Sequence, residues 1–440
     1  MIKFILSFYC DGLIYLNRGM FCKLLICNLV EKNIMKEPIL FRNQLRGVSD
    51  SIQKEKEEKL LYTGRYLMTL DNNEDFSKIG RQLQSKLGLR MASSSEYENG
   101  VANESQLGDA DVLMIDELGI ALISGDDNQM KALNSQSGNF ILEPERIVYL
   151  PDNLVANGVQ SSTWGMDVTK TINSNYSGKN IKVAVLDTGF DFNHSDFYGR
   201  NVVSHSFVNG EQAQDGHGHG THCIGSACGN VDQFGLRYGV AKDSDIFVGK
   251  VLSNAGRGAQ AWSLMGIKWA VNQGCKVISM SLGSSVFPGQ GYDHAYERVA
   301  KDALKNGSVI VAAAGNDSKR SRQLYNPINS PANSPSVLSV GSVNVNLRIS
   351  DFSNRGINPN QNIDFVSPGE EIYSSWLMPK RNRSISGTSM ATPHVAGILA
   401  LLWERNPNAS AYQIIHELRT LSKRLPLSSM DVGAGLTIAP

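Results

Sequence analysis

From Trp164 onward the chain repeats one alternation, and that alternation narrows the possible folds more than anything else in it. Short apolar runs, "IKVAVLD", "DIFVGKVL", "KVISMSLG" and "SVIVAAAGN", are separated by stretches such as "GAQAWSLMGIKWAVNQG" and "YERVAKDALKNG". Continuous apolar runs of this kind suit strands buried on both faces. Parallel neighbours need long crossovers, and the intervening helices supply them. The expectation is an α/β domain with a doubly wound, mostly parallel sheet and helices on both faces. Functional groups in such sheets gather at the carboxyl ends of the strands. Asp187 and Asn316 fall there, just after "VAVL" and "VAAAG".

The preceding block has a different texture. "GRYLMTL" reads as a strand, and residues 71–88 space Phe76, Ile79, Leu83 and Leu87 at helical intervals. "DVLMID" and "GIALIS" flank a short turn at Glu117–Leu118, "NQMKALNS" reads as a helix, and "FILEPERIVYLP" as a last strand. The order β-α-β-β-α-β predicts a small ferredoxin-like α+β domain. Residues 151–163 lose all periodicity, as a linker should. Four segments follow: an extension over 1–55, the small domain over 56–150, the linker over 151–163, and the α/β domain over 164–440.

Lys plus Arg and Asp plus Glu both number 42, so the net charge is zero. That balance argues against a nucleic-acid partner held by bulk electrostatics. The apolar N-terminus is interrupted by Asp11, Arg18 and Lys23, so no run reaches the roughly 20 residues of a membrane span. It has no clear cleavage site for an export signal, and translation starting at Met20 or Met35 is an equal alternative. The charge run at 51–60 reads as solvated helix or linker. Six cysteines show no disulfide or metal-knuckle spacing. Cys223 and Cys228, on one helix, would sit about 7.5 Å apart, too far to bridge.

Three motifs carry chemistry. Asp187 ends a strand in "VAVLDTGFD", His219 enters a helix in "HGHGTHCIG", and Ser389 opens a long apolar helix in "SGTSMATPHVAGILALLW". A hydroxyl is too weak an acid to attack a carbonyl alone. A neutral imidazole must take its proton, and a carboxylate must hold the imidazole in the right tautomer. Other readings stay open from the residues. His217, His219, His222 and Asp215 could form a zinc site. "GTSMA" could be the nucleophile elbow of an α/β-hydrolase esterase. A binding protein could also use such a scaffold without catalysis.

Taken together, "VAVLDTGFDFNHSD", "HGHGTHCIG", "ISMSLG", "VAAAGN" and "SGTSMATPHVAG" resemble the subtilisin-like serine proteases, with the histidine motif similar to the proteinase K branch. The resemblance spans Trp164 to the end of the chain. It implies a subtilisin-like fold, peptide-bond hydrolysis through an acyl-enzyme, and a triad of Asp187, His219 and Ser389. It also implies oxyanion binding by Asn316 and the Ser389 N–H. Substrate would pair as an added strand with Ser281, Leu282 and Gly283 on one side and Asn254 and Gly256 on the other. The small N-terminal domain would be a prodomain that assists folding, inhibits in cis and is removed by cleavage within 151–163. Polypeptides are the expected partners, and the enzyme the expected monomer. No cofactor is needed for the chemistry. Structural calcium is an open expectation, with Asp196 and the loop 229–235 as its place. Family members are mostly secreted. His222 is expected to pack or hydrogen-bond within its helix, and His217 to be a solvated or rim residue.

Overall fold

The computed structural model describes residues 61–70, 76–94, 110–125, 127–134, 140–150 and 163–440. The expected extension, the charge run at 51–60 and residues 151–162 of the linker lie outside them.

The N-terminal domain has β1 (Tyr62–Leu70), α1 (Phe76–Leu87), β2 (Met91–Ser93), β3 (Val112–Ile115), β4 (Ile120–Ile123), α2 (Asp127–Asn134) and β5 (Phe140–Tyr149). The expected order is present with one addition, β2, three residues at the sheet edge paired in parallel with β3. The strand order is β2-β3-β4-β1-β5, so the first strand lies between the third and fourth of the ferredoxin-like set. The β3–β4 hairpin turns through Asp116–Leu118, and Gly119 adopts a left-handed φ of 63°. Alternate residues face opposite ways. Met68, Val112, Met114, Ala121 and Ile123 pack with Ile79, Leu83, Met130 and Leu133 of this domain's own helices. Leu67, Leu113, Ile115, Ile120 and Leu122 instead join a core shared with the α/β domain. The small sheet is therefore apolar on both faces, and the larger domain covers one of them.

The larger domain begins with α3 (Trp164–Val168) and builds a seven-stranded sheet. Its strands are β6 (Lys182–Asp187), β7 (Val202–Ser206), β8 (Asp245–Lys250), β10 (Val277–Met280), β11 (Val309–Ala313), β12 (Leu338–Val343) and β13 (Phe365–Pro368). The order is β13-β12-β11-β10-β6-β8-β7, and every pairing is parallel. Ala184 and Leu186 of β6 meet the core of α5 (Gln260–Asn272) and α6 (His294–Lys305). Val183 and Val185 meet the opposite core, with α4 (His219–Cys228) and α7 (Thr388–Arg405). Thr388 to Trp403 of α7 are all buried, as expected for a helix apolar all round. The hairpin of β14 (Ile372–Ser375) and β15 (Asn382–Ile385) lies beside α4, and α8 (Ala411–Leu421) and α9 (Ser429–Val432) close the chain.

One short strand joins the two domains. β9 (Arg257–Ala259) pairs antiparallel with β5 and extends the small sheet by a strand from the large domain. Among the described residues, no helix is long and apolar enough to cross a membrane. Cys223, Cys228 and Cys275 are buried free thiols.

Candidate active site

Asp187 ends β6, a central strand, and is 1 % exposed. Its carboxylate faces the first residue of α4: His219 Nδ1 lies 2.8 Å from Oδ1 and 3.0 Å from Oδ2. An ionised carboxylate only accepts, so Nδ1 carries the proton and Nε2 holds the lone pair of the neutral ring. Burial pulls the His219 imidazole down, yet the buried Asp187 charge outweighs it and leaves the ring well above its usual value. His219 Nε2 is buried without a hydrogen-bond partner.

The loop before His219 is shaped by Asp215. Its carboxylate accepts from the backbone N–H groups of His217, Gly218 and Thr221 and from the hydroxyls of Thr221 and Thr188. Burial pushes this carboxyl up, but the hydrogen bonds outweigh burial and hold it below the usual range. Sequence reading placed Asp215 only among zinc candidates. The signal that could have found it is an acid just before a helix start with a threonine in the first turn, a capping pattern. Gly218, the N-cap, has φ of 101°, and a Cβ there would strike Trp376.

Ser389 is the second residue of α7 and is 2 % exposed. Its Oγ donates to the Ser281 carbonyl at 3.2 Å. Its N–H belongs to a first helical turn, where donors lack helical acceptors and favour negative charge. Asn316 follows β11, and its Oδ1 accepts from Thr388 N–H at 2.9 Å and Thr388 Oγ1 at 2.8 Å. Those donors fix the amide, so Nδ2 is the opposite group. A Cβ on Gly387 would come within 3.0 Å of it, so any larger residue there would press on the amide.

The expected edge segments, around Gly256 and over Ser281–Gly283, both contact β5 through their backbones. Gly283 exchanges both backbone hydrogen bonds with Tyr149, at 2.9 and 3.1 Å, and Gly256 accepts from Leu150 N–H at 3.1 Å. Leu282 is fully buried, and Ser281 Oγ donates to the Ser389 carbonyl at 2.8 Å. Asn254 lies in the first of these segments, and its side chain is held from the other side. Its Oδ1 accepts from Lys250 Nζ and Gly216 N–H, both at 2.9 Å. It braces the Asp215 loop.

The alternatives lose their groups. His222 Nε2 donates to the carbonyls of Ile372 at 2.9 Å and Arg383 at 3.1 Å, not within its own helix as expected. Burial pushes it down to about 3. With Asp215 committed to the loop, the zinc set does not converge. Asp187, His219 and Cys223 do lie within metal-ligand reach of one another, but His219 Nδ1 is taken by the Asp187 carboxylate, and burial pushes the Cys223 thiol up. The esterase reading needs an acid and a histidine after the serine. His394 bonds the Met390 carbonyl of its own helix, and His416 is exposed. His217 is half-buried, beside Gly256 and Leu150.

Calcium fits poorly at its expected place. Asp196 Oδ1 is 3.3 Å from the Arg381 guanidinium, and Oδ2 accepts from the Tyr238 hydroxyl at 3.0 Å. Asp232 accepts from Phe234 N–H, Leu236 N–H and the Tyr373 hydroxyl. A guanidinium already supplies the positive charge that a cation would bring, and the remaining carboxylate oxygens are taken.

The Subtilase family model matches residues 178–435. Subtilisin DY from Bacillus licheniformis is 37% identical over 263 residues, 59% of this chain and 90% of the relative. Subtilisin E from Bacillus subtilis (strain 168) is 33% identical over 294 residues, 66% of this chain and 74% of the relative. The major intracellular serine protease of the same organism is 39% identical over 231 residues, 51% of this chain and 69% of the relative. With the matched region enclosing Asp187, His219, Asn316 and Ser389, the chain belongs to the subtilase family and is a serine-type endopeptidase.

Proposed function

We propose that the protein hydrolyses internal peptide bonds through an acyl-enzyme on Ser389, with His219 as base, Asp187 as its orienting acid, and Asn316 as an oxyanion donor. One observation carries the assignment: the Asp187–His219 pair, at 2.8 Å, leaves a buried Nε2 without a partner. Ser389 gives its proton to Nε2 as its Oγ attacks the scissile carbonyl. The oxyanion is held by Asn316 Nδ2 and the Ser389 N–H. His219 then protonates the leaving amine, and water repeats the sequence to release the acid.

The Ser389 hydroxyl now points at the Ser281 carbonyl. Tyr149 pairs with Gly283; a substrate bound in the same antiparallel register would set its residue two beyond the Tyr149 position opposite Ser281. In a bound substrate, the backbone N–H of that residue would claim the Ser281 carbonyl. The Ser389 hydroxyl is then free to turn to His219. Apo hydrogen bonds of catalytic groups commonly rearrange in this way.

The same reading makes the N-terminal domain an inhibitory prodomain and the chain a zymogen. β5 fills both sides of the edge where substrate would pair, through Ile147–Ala259, Val148–Gly258 and Tyr149–Gly283. Wild-type protein should lose about a third of its length by cleavage within 151–163, and Ser389→Ala should stay whole. Equal cleavage of both would assign the cut to another protease. The active enzyme is proposed to be a monomer acting on polypeptides without a cofactor.

A further inference from the structure

Beyond the backbone pairing, β5 presents two side chains that the larger domain reads individually. Arg146 is 5 % exposed, and its Nε lies 2.9 Å from Asp293 Oδ1, itself 7 % exposed. Arg146 Nη1 donates to the Ser285 carbonyl at 3.2 Å. Asp293 Oδ2 accepts from the Ser330 hydroxyl. Three residues on, the Tyr149 hydroxyl bonds Ser285 Oγ and accepts from Ser285 N–H at 2.9 Å. One short segment, Ser285 to Asp293, thus meets a cation and a phenol at fixed spacing.

These contacts differ in kind from the pairing with β9 and Gly283. Backbone hydrogen bonds accept any extended peptide, whereas a buried carboxylate and a hydroxyl cradle select for side chains. A carboxylate this enclosed is costly without a counter-charge. When β5 is absent from the edge, Asp293 keeps only the Ser330 hydroxyl among the hydrogen bonds just described. A strand with a cation at the right place is then favoured over one without.

We propose that Asp293 and Ser285 form a specificity subsite, so that preferred substrates carry arginine three residues before tyrosine, with the scissile bond after the second residue beyond that tyrosine. The proposal rests on the reading of this edge as the substrate site. The position of the bond follows from register: with a substrate tyrosine opposite Gly283, as Tyr149 is, the substrate residue two beyond it would fall opposite Ser281, whose carbonyl accepts from Ser389 Oγ. The same contacts would serve the N-terminal domain in cis and polypeptides in trans, so the two compete.

The test uses wild-type protein that has completed its own processing, so that β5 no longer fills the edge, and internally quenched peptides containing Arg-Ile-Val-Tyr-Leu-Phe-Ser, with Arg→Gln and Tyr→Phe versions. Replacing Arg by Gln should lower kcat/KM about 10- to 100-fold, and Tyr by Phe about 3- to 10-fold, with cleavage after the Phe that follows Leu. Asp293→Asn should bring the Arg and Gln peptides to similar rates. The wild-type comparison needs no variant and stands even if Asp293→Asn fails to fold. Equal rates for the Arg and Gln peptides on wild-type protein would overturn the subsite while leaving the protease reading intact. If none of the peptides is cut, the protease reading fails and the subsite falls with it.

Discussion

The carbonyl of Ser389 accepts its hydrogen bond from the Ser281 hydroxyl, at 2.8 Å, and not from α7, the helix in whose first turn Ser389 sits. The reason lies four residues on. An α-helix would bond this carbonyl to the N–H of residue 393, and residue 393 is proline, which has none. The orphaned, buried oxygen is met by Ser281 Oγ and, at 3.6 Å, by Cys223 Sγ. Ser281 thereby acts as a positioning residue for the nucleophile's backbone. Ser281→Ala should lower kcat about 5- to 100-fold, the range for stranding a buried carbonyl, with KM little changed. Steady-state kinetics on the variant check this. A rise in KM at constant kcat would assign Ser281 to substrate binding alone.

The pH dependence follows from the Asp187–His219 pair. His219 lies well above its ordinary value because the Asp187 charge outweighs burial, and only the neutral ring can accept the Ser389 proton. Activity should therefore fall as pH drops, with a midpoint above the usual imidazole value of about 6.5. Asp187→Asn removes the charge, so the midpoint should move down while kcat drops about 10⁴-fold. The linked stability has a defined sign. A raised folded pKa contributes stability below the unfolded value, and this is lost as pH rises through the folded one. The Tm difference between wild type and Asp187→Asn should therefore be larger at acid pH than at alkaline pH. Kinetics and melting across pH 5 to 9 test both.

Asn316 is proposed to hold charge that exists only in the transition state. Asn316→Ala should cost about 10²–10³ in kcat, a magnitude known from a member of this family, with KM almost unchanged. Because Asn316 Oδ1 also accepts from Thr388, a melting curve must accompany the kinetics. A loss of activity that tracks a loss of folded protein would assign Asn316 a structural role.

Arg381 is predicted to do at Asp196 what a bound cation would do. Arg381→Ala strands a carboxylate whose side chain is only 2 % exposed. The cost should be about 1–3 kcal/mol, reduced from the fully buried case because Arg381 is partly exposed. A chelator should leave the wild-type Tm unchanged through this site. Thermal melts with and without chelator check it, and a large fall on chelation would contradict the assignment.

Much of this was legible because the strongest signals were local. Apolar runs ending in Asp187 or preceding Asn316 announce strands and their carboxyl ends, and the β-α-β-β-α-β order survives in the small domain. What escaped depends on partners far away in sequence. His222 reads as a helix residue until Ile372 and Arg383, more than 140 positions on, offer their carbonyls. β2 is three residues in a serine-rich stretch, too short for any periodicity. The charged "EPER" in the last strand of the small domain was the unread clue to the interface. There Glu145 accepts from Ala261 N–H at the start of α5, and Arg146 reaches Asp293.

The most direct test of the Asp187–His219–Ser389 assignment is covalent. Processed wild-type protein is treated with a serine-directed fluorophosphonate, and the labelled peptide is located by mass spectrometry. The account predicts near-stoichiometric modification of Ser389, lost in Ser389→Ala and strongly slowed in His219→Ala. Modification of a different serine, or labelling at equal rates in wild type and His219→Ala, would contradict it.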